Sequence, residues 1–248
     1  MNNLRAPQMI LFDYGQTLVG ALECNWLRGR RALMPYLTRN PRGLSAQQID
    51  EFTSELFREL CQPVRAMSRE LHEWQYIRAV NALLQLEYSI PEAEQERILY
   101  THCLALAPMP QVQELLALLR EVGIRTGVVS NLQPSGRELR RRLTEQLPGH
   151  AFEFVIASSE YGVRKPDPLI FELALAKAAL PSEDVWFCGD NPRCDVEGAH
   201  AVGMFPVWYE ELTVEDPWRD TADMEPPACP HLHIHGWREL IEILKENT

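Results

Sequence analysis

Short apolar runs alternate with amphipathic stretches along most of the chain. Runs rich in β-branched and aromatic residues predict strands over residues 9–12, 124–129, 152–157, 185–188 and 205–208. Helical spacing predicts helices over 112–120 and 166–180. Strands that alternate with helices form βαβ units, so the pattern predicts an α/β protein with a doubly wound parallel sheet. A proline-rich acidic loop over 210–230 precedes a last predicted strand over 232–234 and a helix over 237–244.

The stretch from residue 22 to residue 107 has a different pattern. It contains no convincing strand, and apolar residues such as Phe52, Leu56 and Leu60 recur at helical spacing. Because it lies between the first and second predicted strands, we expect an inserted helical subdomain. The sequence therefore predicts an α/β core domain over residues 1–20 and 108–248 and an all-helical cap domain over residues 21–107.

Composition and charge argue against some classes of partner. The chain has 248 residues and a formal net charge of −11, whereas binding to nucleic acid or an anionic membrane needs a basic face. No apolar stretch reaches the roughly 18 residues that span a bilayer, and the start of the chain does not resemble a signal peptide. Six scattered cysteines without a C-x-x-C pair fit free thiols. We therefore expect a cytoplasmic protein with neither partner.

Polar residues follow four of the predicted strands. The first strand ends in Asp13-Tyr-Gly-Gln-Thr17, the second in Ser130-Asn131 and the fourth in Gly189-Asp-Asn-Pro-Arg-Cys-Asp195, while Lys165-Pro-Asp-Pro168 follows the third. A single aspartate after a strand is usually a helix cap or a turn residue. Ligands of an open parallel sheet bind beyond the carboxyl ends of its strands. Four such segments together therefore favour a binding or catalytic site.

The residue types at these ends suit covalent phosphoryl transfer. A carboxylate such as that of Asp13 can attack phosphorus and form an aspartyl-phosphate, which divides one difficult displacement into two easier ones. Because an anion then approaches an anion, the site must cancel charge. Mg²⁺ held by carboxylates and a backbone carbonyl does so, and a lysine and a hydroxyl can bind the phosphoryl oxygens. We therefore expect a small phosphorylated substrate.

In order and spacing, these motifs resemble those of the haloacid dehalogenase-like (HAD) hydrolase superfamily. The resemblance covers residues 8–20 and 108–209, and the insertion has the position and length of the helical cap of subfamily I. It implies a Rossmann-like core, hydrolysis of a phosphoric monoester and a dependence on Mg²⁺. Neither the substrate nor the oligomeric state can be read from it.

The resemblance also implies which residues would bind the metal. Asp13 would be both the nucleophile and a magnesium ligand, with Gly15 contributing its backbone carbonyl. Asp190 would be a direct ligand. Asp195 would act through water or by orienting Lys165, and a helix cap is its alternative role.

A second group of residues would bind the phosphoryl group. Ser130 would contact it, with Asn131 nearby, and Lys165 would neutralise charge. Tyr14 and Gly15 would line the same site. An alternative role of Ser130 is the N-cap of a helix that begins near residue 135.

The chain departs from the family pattern two residues after the nucleophile. Phosphatases of the family usually have an aspartate there, which protonates the leaving group and then activates water, but this chain has Gly15. General acid–base catalysis typically contributes about 10²–10⁴-fold. One interpretation is an enzyme for good leaving groups, or one that takes an acid from the cap or the substrate. A second is a slow phosphatase or phosphoryl-transfer enzyme, and a third is a non-catalytic binding or regulatory protein. The intact set of Asp13, Lys165, Asp190 and Asp195 favours catalysis.

Other reactions and sites fit less well. A dehalogenase needs no metal, but Asp190 and Asp195 beside Asp13 would repel one another without a cation. A phosphonatase would need a cap lysine, and residues 22–107 contain none.

Arginines and histidines outside the motifs have simpler interpretations. The cap arginines Arg28, Arg30, Arg31, Arg39 and Arg42 could bind an anionic substrate group. A solvated helical face is the simpler interpretation for them and for the arginines at 137–142. The side chains of His231, His233 and His235 would lie on one side of a strand, but no acidic or cysteine residue stands at ligand spacing, which argues against a metal site.

Overall fold

One parallel sheet forms the centre of the molecule in the computed structural model, which describes residues 5–211, 213 and 225–247. In chain order, the strands among these residues are β1 (Met9–Phe12), β2 (Val19–Cys24), β3 (Leu37–Arg39), β4 (Glu87–Tyr88), β5 (Leu104–Pro108), β6 (Arg125–Ser130), β7 (Val155–Ala157), β8 (Val185–Gly189), β9 (Phe205–Tyr209) and β10 (Leu232–Ile234). Six of them form the sheet in the order β10-β9-β8-β1-β6-β7, and all five pairings are parallel. The predicted α/β fold is confirmed.

Helices cover the sheet and make up most of the insertion. In chain order they are α1 (Trp26–Leu33), α2 (Ala46–Leu56), α3 (Gln62–Ala66), α4 (Glu73–Leu84), α5 (Glu92–Cys103), α6 (Val112–Glu121), α7 (Gly136–Gln146), α8 (Ser158–Tyr161), α9 (Pro168–Ala178), α10 (Gly198–Ala201) and α11 (Trp237–Asn247). Two π-helical turns, Phe57–Cys61 and Pro192–Glu197, lie between regular helices or next to one.

The strand β1 is central because every one of its residues is buried. Ile10 and Phe12 pack on one face of the sheet, against residues of α6, α7 and α11. Met9 and Leu11 pack on the other face, against residues of α9 and α10. A strand covered on both faces needs a continuous apolar run, and this explains why the sequence predicts β1 with its observed bounds.

The insertion is not wholly helical, so this part of the sequence prediction is wrong. β2 and β5 form an antiparallel pair where the chain enters and leaves the insertion, and β3 pairs with β4 inside it. These strands have two to six residues. β3 and β4 are too short to show a periodicity, and β2 and β5 are rich in leucine and alanine, which favour helices. The domain boundaries at residues 21 and 107 remain a prediction.

Buried carboxylates of the insertion bind the core. Glu96 accepts hydrogen bonds from the Ser135 backbone N–H at 2.7 Å and from the Ser135 hydroxyl at 2.6 Å. Glu73 accepts a hydrogen bond from the Gln133 side-chain amide at 2.8 Å. Ser135 and Gln133 follow β6, so these contacts hold the insertion at the carboxyl edge of the sheet, where ligands of parallel sheets bind.

The predicted loop, the cysteines and the absence of membrane-spanning segments remain to be compared with the described residues. Residues 212 and 214–224 of the predicted loop over 210–230 lie outside the described residues. All six cysteines are free, as predicted. Among the described residues, no helix combines the length and the apolar character needed to cross a membrane.

The burial of Glu73 predicts a dependence of stability on pH. Burial, reinforced by the nearby Glu96 carboxylate, raises the pKa of the Glu73 carboxyl to about 7. Between the ordinary glutamate value near 4.3 and about pH 7, the native state therefore binds more protons than the unfolded chain. The contribution of Glu73 to the free energy of unfolding should fall as the pH rises through this window and should level off above it.

We expect Glu73→Gln to remove this dependence. In urea denaturation between about pH 5 and pH 8, the variant should gain stability relative to the wild type as the pH rises, in total on the order of 3 kcal/mol. Glu172→Gln, at an exposed position of α9, serves as the matched control. A difference between Glu73→Gln and the wild type that stays constant with pH would contradict the prediction.

Candidate active site

The four polar segments predicted from the sequence meet at the carboxyl edge of the sheet. β1 lies between β6 and β8, so Asp13, Ser130 and Asp190 stand at the carboxyl ends of three neighbouring strands. Lys165 and Asp195 enter the same region from the segments before α9 and after β8. All five residues line one cavity. The structure therefore brings the predicted site residues together.

The Lys165 ammonium joins two of the predicted carboxylates. Its Nζ lies 2.6 Å from Oδ1 of Asp13 and 2.6 Å from Oδ1 of Asp195. The lysine is buried, and burial alone lowers the pKa of an ammonium group. The Asp13 and Asp195 carboxylates outweigh that effect and raise the pKa of Lys165 above its usual value. Lys165 is therefore positively charged at neutral pH.

Three carboxylates crowd around this single ammonium. Asp13, Asp190 and Asp195 each offer an oxygen, and the three oxygens lie within 4.8 Å of one another. Burial, together with the carboxylates of Asp195 and Asp13, raises the pKa of Asp190 well above its usual value. Burial likewise raises the pKa of Asp195, to about 6, although Lys165 opposes the shift. A hard divalent cation would relieve this repulsion, because Mg²⁺ prefers carboxylate oxygens.

Asp195 is placed by a hydrogen bond and by a glycine. Its Oδ2 accepts a hydrogen bond from the backbone N–H of Asn191 at 3.0 Å. At Gly189, the last residue of β8, an added Cβ would come within 2.3 Å of the Asp195 carboxyl carbon. Any larger residue there would displace the carboxylate from Lys165. Asn191, rather than Asp195, caps the helical turn, because its side chain accepts from the Cys194 N–H at 2.7 Å.

Asp190 is held from two sides. The Thr17 hydroxyl donates a hydrogen bond to its Oδ1 at 3.1 Å, and the Trp208 indole donates to its backbone carbonyl at 3.2 Å. Thr17 is itself anchored because its carbonyl accepts a hydrogen bond from the Trp237 indole at 3.1 Å. The loop after β1 and the end of β8 are thus fixed to each other.

Asn131 holds the backbone of Lys165. Its side-chain Oδ1 accepts from the Lys165 N–H at 2.7 Å, and its Nδ2 donates to the Lys165 carbonyl at 2.9 Å. Ser130 is buried at the end of β6 beside it. The N-cap of α7 is Ser135, whose hydroxyl accepts from the Glu138 N–H, so the alternative role of Ser130 as that cap is wrong.

A family model described as haloacid dehalogenase-like hydrolase matches residues 10–203, which include every residue of this site. The chain belongs to the haloacid dehalogenase-like hydrolase family. The family that the sequence motifs resemble is thereby confirmed.

Relatives of the chain include proteins named as phosphatases. The chain is 31% identical over 131 residues to a phosphoserine phosphatase from Thermus thermophilus, covering 53% of this chain and 49% of that protein. It is 32% identical over 146 residues to a glyceraldehyde 3-phosphate phosphatase from Methanopyrus kandleri, covering 57% and 58%. The chain thus spans about half the length of these curated relatives.

The fold of this HAD-like hydrolase extends to solved structures at lower identity. A 2-haloacid dehalogenase from Pseudomonas syringae superposes with a TM-score of 0.60 at 22% identity, covering 99% of this chain and 100% of that chain. At this identity the similarity shows the shared fold alone.

The site opens into a cavity between the core and the insertion. The cavity has a volume of about 750 Å³. Five arginines contribute to its lining, namely Arg30, Arg58, Arg65, Arg142 and Arg164. Of the cap arginines considered from the sequence, Arg30 alone is among these five. Tertiary packing brings the other four arginines to the cavity, and the spacing of arginines along the chain does not predict that packing.

Arg142 is buried, so the interpretation of residues 137–142 as an exposed face is wrong at this position. Its Nε donates to Glu138 Oε1 at 2.9 Å, one helical turn earlier, and its guanidinium lies over the Tyr100 ring. It also lies close enough to Tyr14 to oppose the burial that raises the pKa of that phenol to about 12. Tyr14 is therefore neutral, and it cannot act as a base at physiological pH.

Gly15 lines the cavity two residues after Asp13. A Cβ added there would meet no atom within 4 Å. The position therefore has space for a side chain, and steric crowding does not explain the missing aspartate. Glu73 of the insertion lines the same cavity, and no motif in the sequence singled it out.

Proposed function

We propose that this hydrolase is a phosphatase that uses Asp13 as a nucleophile toward a small phosphorylated metabolite. The observation that carries the proposal is the group of three carboxylates around one ammonium, with Asp13 and Asp195 buried and Asp190 partly buried. A reaction that attacks carbon has no use for so much negative charge. A reaction with a metal ion and a phosphoryl group needs oxygen ligands and a cation together.

The relatives and the cavity support this class of substrate. Relatives at 31% and 32% identity are named phosphoserine phosphatase and glyceraldehyde 3-phosphate phosphatase. The cavity of about 750 Å³ has the size of a small-molecule site. Guanidinium groups such as those of Arg65 and Arg164 suit phosphate and carboxylate oxygens. A small anionic phosphomonoester fits the cavity best.

In the proposed mechanism, Asp13 Oδ attacks phosphorus and forms an aspartyl-phosphate, which water then hydrolyses. Lys165, already 2.6 Å from Asp13, orients the nucleophile and would also neutralise a phosphoryl oxygen. The Ser130 hydroxyl would donate to another phosphoryl oxygen. Mg²⁺ held by Asp13, Asp190, Asp195 and the Gly15 carbonyl would offset the charge of the carboxylates and of the phosphoryl group.

Proton transfer to the leaving group is the weak step of this mechanism. Gly15 offers no acid, so the leaving oxygen must depart as an anion or take its proton from elsewhere. We therefore expect efficient turnover of substrates with acidic leaving groups and slow turnover of alkyl phosphates.

We expect Asp13→Asn to abolish phosphatase activity, because an amide oxygen does not form the covalent intermediate. Hydrolysis of p-nitrophenyl phosphate and acetyl phosphate, measured with and without Mg²⁺, should require both the metal and Asp13. Asp184→Asn makes the same change at the opposite end of β8 and should leave the activity intact. Activity that persists in Asp13→Asn, or no activity in the wild type with either substrate, would refute the proposal.

We expect Gly15→Asp to increase the turnover of β-glycerophosphate, which has a poor leaving group. A Cβ added at Gly15 meets no atom within 4 Å, and an added acid can contribute up to about 10²–10⁴-fold. Turnover of p-nitrophenyl phosphate should change far less. Gly15→Asn, of the same shape but without the acid, is the matched control. Equal rates for the Asp and Asn variants on β-glycerophosphate would show that the missing acid does not limit this enzyme.

A further inference from the structure

Two histidines and a glutamate come together outside the candidate active site. Glu210, His233 and His235 each offer a potential ligand atom, and the three atoms lie within 4.8 Å of one another. The Nε2 atom of His233 lies 2.9 Å from Glu210 Oε2, and the Nε2 atom of His235 lies 3.8 Å from the same oxygen. Each imidazole therefore has a nitrogen atom near the same carboxylate oxygen of Glu210.

The parallel pairing of β9 and β10 creates this cluster. Ile234 stands opposite Tyr209, and the Glu210 N–H donates to the Ile234 carbonyl at 2.8 Å. His233 and His235, two residues apart, project to the same side of the strand. Glu210 thus supplies the acidic partner that the sequence alone does not show, because it directly follows the neighbouring strand β9.

The distances from the two imidazole nitrogens to the Glu210 oxygen fit three ligands of one ion better than a set of hydrogen bonds. At 3.8 Å, His235 Nε2 is too far from the Glu210 oxygen for a hydrogen bond. Ligands bound to zinc at about 2.0–2.1 Å in tetrahedral geometry lie about 3.3 Å apart. The two observed distances lie on either side of that value, so small side-chain movements would bring all three ligand atoms around one ion.

A carboxylate and an aromatic ring lie behind the two imidazoles. His235 Nδ1 lies 3.8 Å from Glu239 Oε1, and the His235 backbone N–H donates to that oxygen at 3.2 Å. A carboxylate beside the second ring nitrogen is a recurrent feature of histidines that bind metals. His233 stacks on Trp208 with ring centroids 4.0 Å apart. The stacking thus fixes the His233 ring, whereas His235 is held through its backbone N–H.

We propose that Glu210, His233 and His235 form a zinc site. Two imidazoles and one carboxylate are a ligand set that zinc accepts, with a fourth position open to water. The ligands come from both sides of residues 211–232, so bound zinc would fix the ends of that segment to each other. Trp208, which stacks on His233, also donates to the Asp190 carbonyl. Zinc would thus stabilise the ends of β9 and β10 beside the candidate active site. The proposal does not rest on the proposed function.

The experiment is a calorimetric titration of the full-length protein with Zn²⁺. The Asp190→Asn background weakens zinc binding by the active-site carboxylates, so the second site can be measured separately. We expect this variant to retain one zinc site, with an X-ray absorption spectrum that reports two imidazole ligands. Adding His233→Gln or His235→Gln should remove the site. Adding Glu239→Gln should weaken zinc binding by about 10–100-fold.

His231→Gln is the matched control. His231 lies on the same strand segment, but its Nδ1 contacts the Cys229 carbonyl and it is not a member of the cluster. This variant should bind zinc as tightly as the Asp190→Asn background. Because the cluster is partly exposed, substitutions in it should not disrupt the fold. Circular dichroism should therefore show that all variants fold. No zinc binding by Asp190→Asn, or an unchanged zinc stoichiometry after His235→Gln, would overturn the proposal.

Discussion

The ion pairs of Lys165 with Asp13 and Asp195 are the interaction on which the rest of the site depends. Both pairs measure 2.6 Å, and the lysine is buried. A buried charge is costly unless it is paired. The surrounding structure supplies the pairing, because Asn131 holds the lysine backbone and Gly189 leaves room for the Asp195 carboxylate. A change at any of these supports would leave a buried charge without its partner.

The Lys165 ammonium does not neutralise all of the nearby carboxylates, so the site retains an excess of negative charge. With Asp190 included, three carboxylates face one ammonium, and burial together with their mutual repulsion raises the pKa of Asp190 well above its usual value. Such an arrangement is unfavourable in the protein alone. A cation and a phosphoryl group that shared the site would make it favourable, so under the proposed function the same imbalance that costs stability would support catalysis.

Most of the candidate site could be predicted from the sequence because its residues directly follow buried strands. Asp13, Ser130 and Asp190 stand at the ends of continuous apolar runs, and adjacent parallel strands bring such ends together. Lys165 could be predicted because the Asp167 cap and Pro168 mark the start of α9. Local patterns thus determine both the strand ends and the helix starts that carry these side chains.

Features that depend on contacts between distant segments could not be predicted in this way. The charged Arg142 is buried because it stacks on Tyr100 of the insertion. The Glu73 carboxyl reaches Gln133 across the boundary between the insertion and the core. Glu210 meets His233 through strand pairing. The antiparallel strands β2 and β5 were missed because Val19 is their sole β-branched residue, while their leucines and alanines favour helices.

The central question is whether Asp13 carries the phosphoryl group during turnover. The direct measurement is rapid acid quenching of the enzyme during hydrolysis of acetyl phosphate with Mg²⁺, followed by peptide mass spectrometry. We predict an acid-stable phosphoryl group on the peptide that contains Asp13, and none in the Asp13→Asn variant treated in the same way. Phosphorylation of a different residue, or turnover with no phosphorylated enzyme at any quench time, would contradict the account.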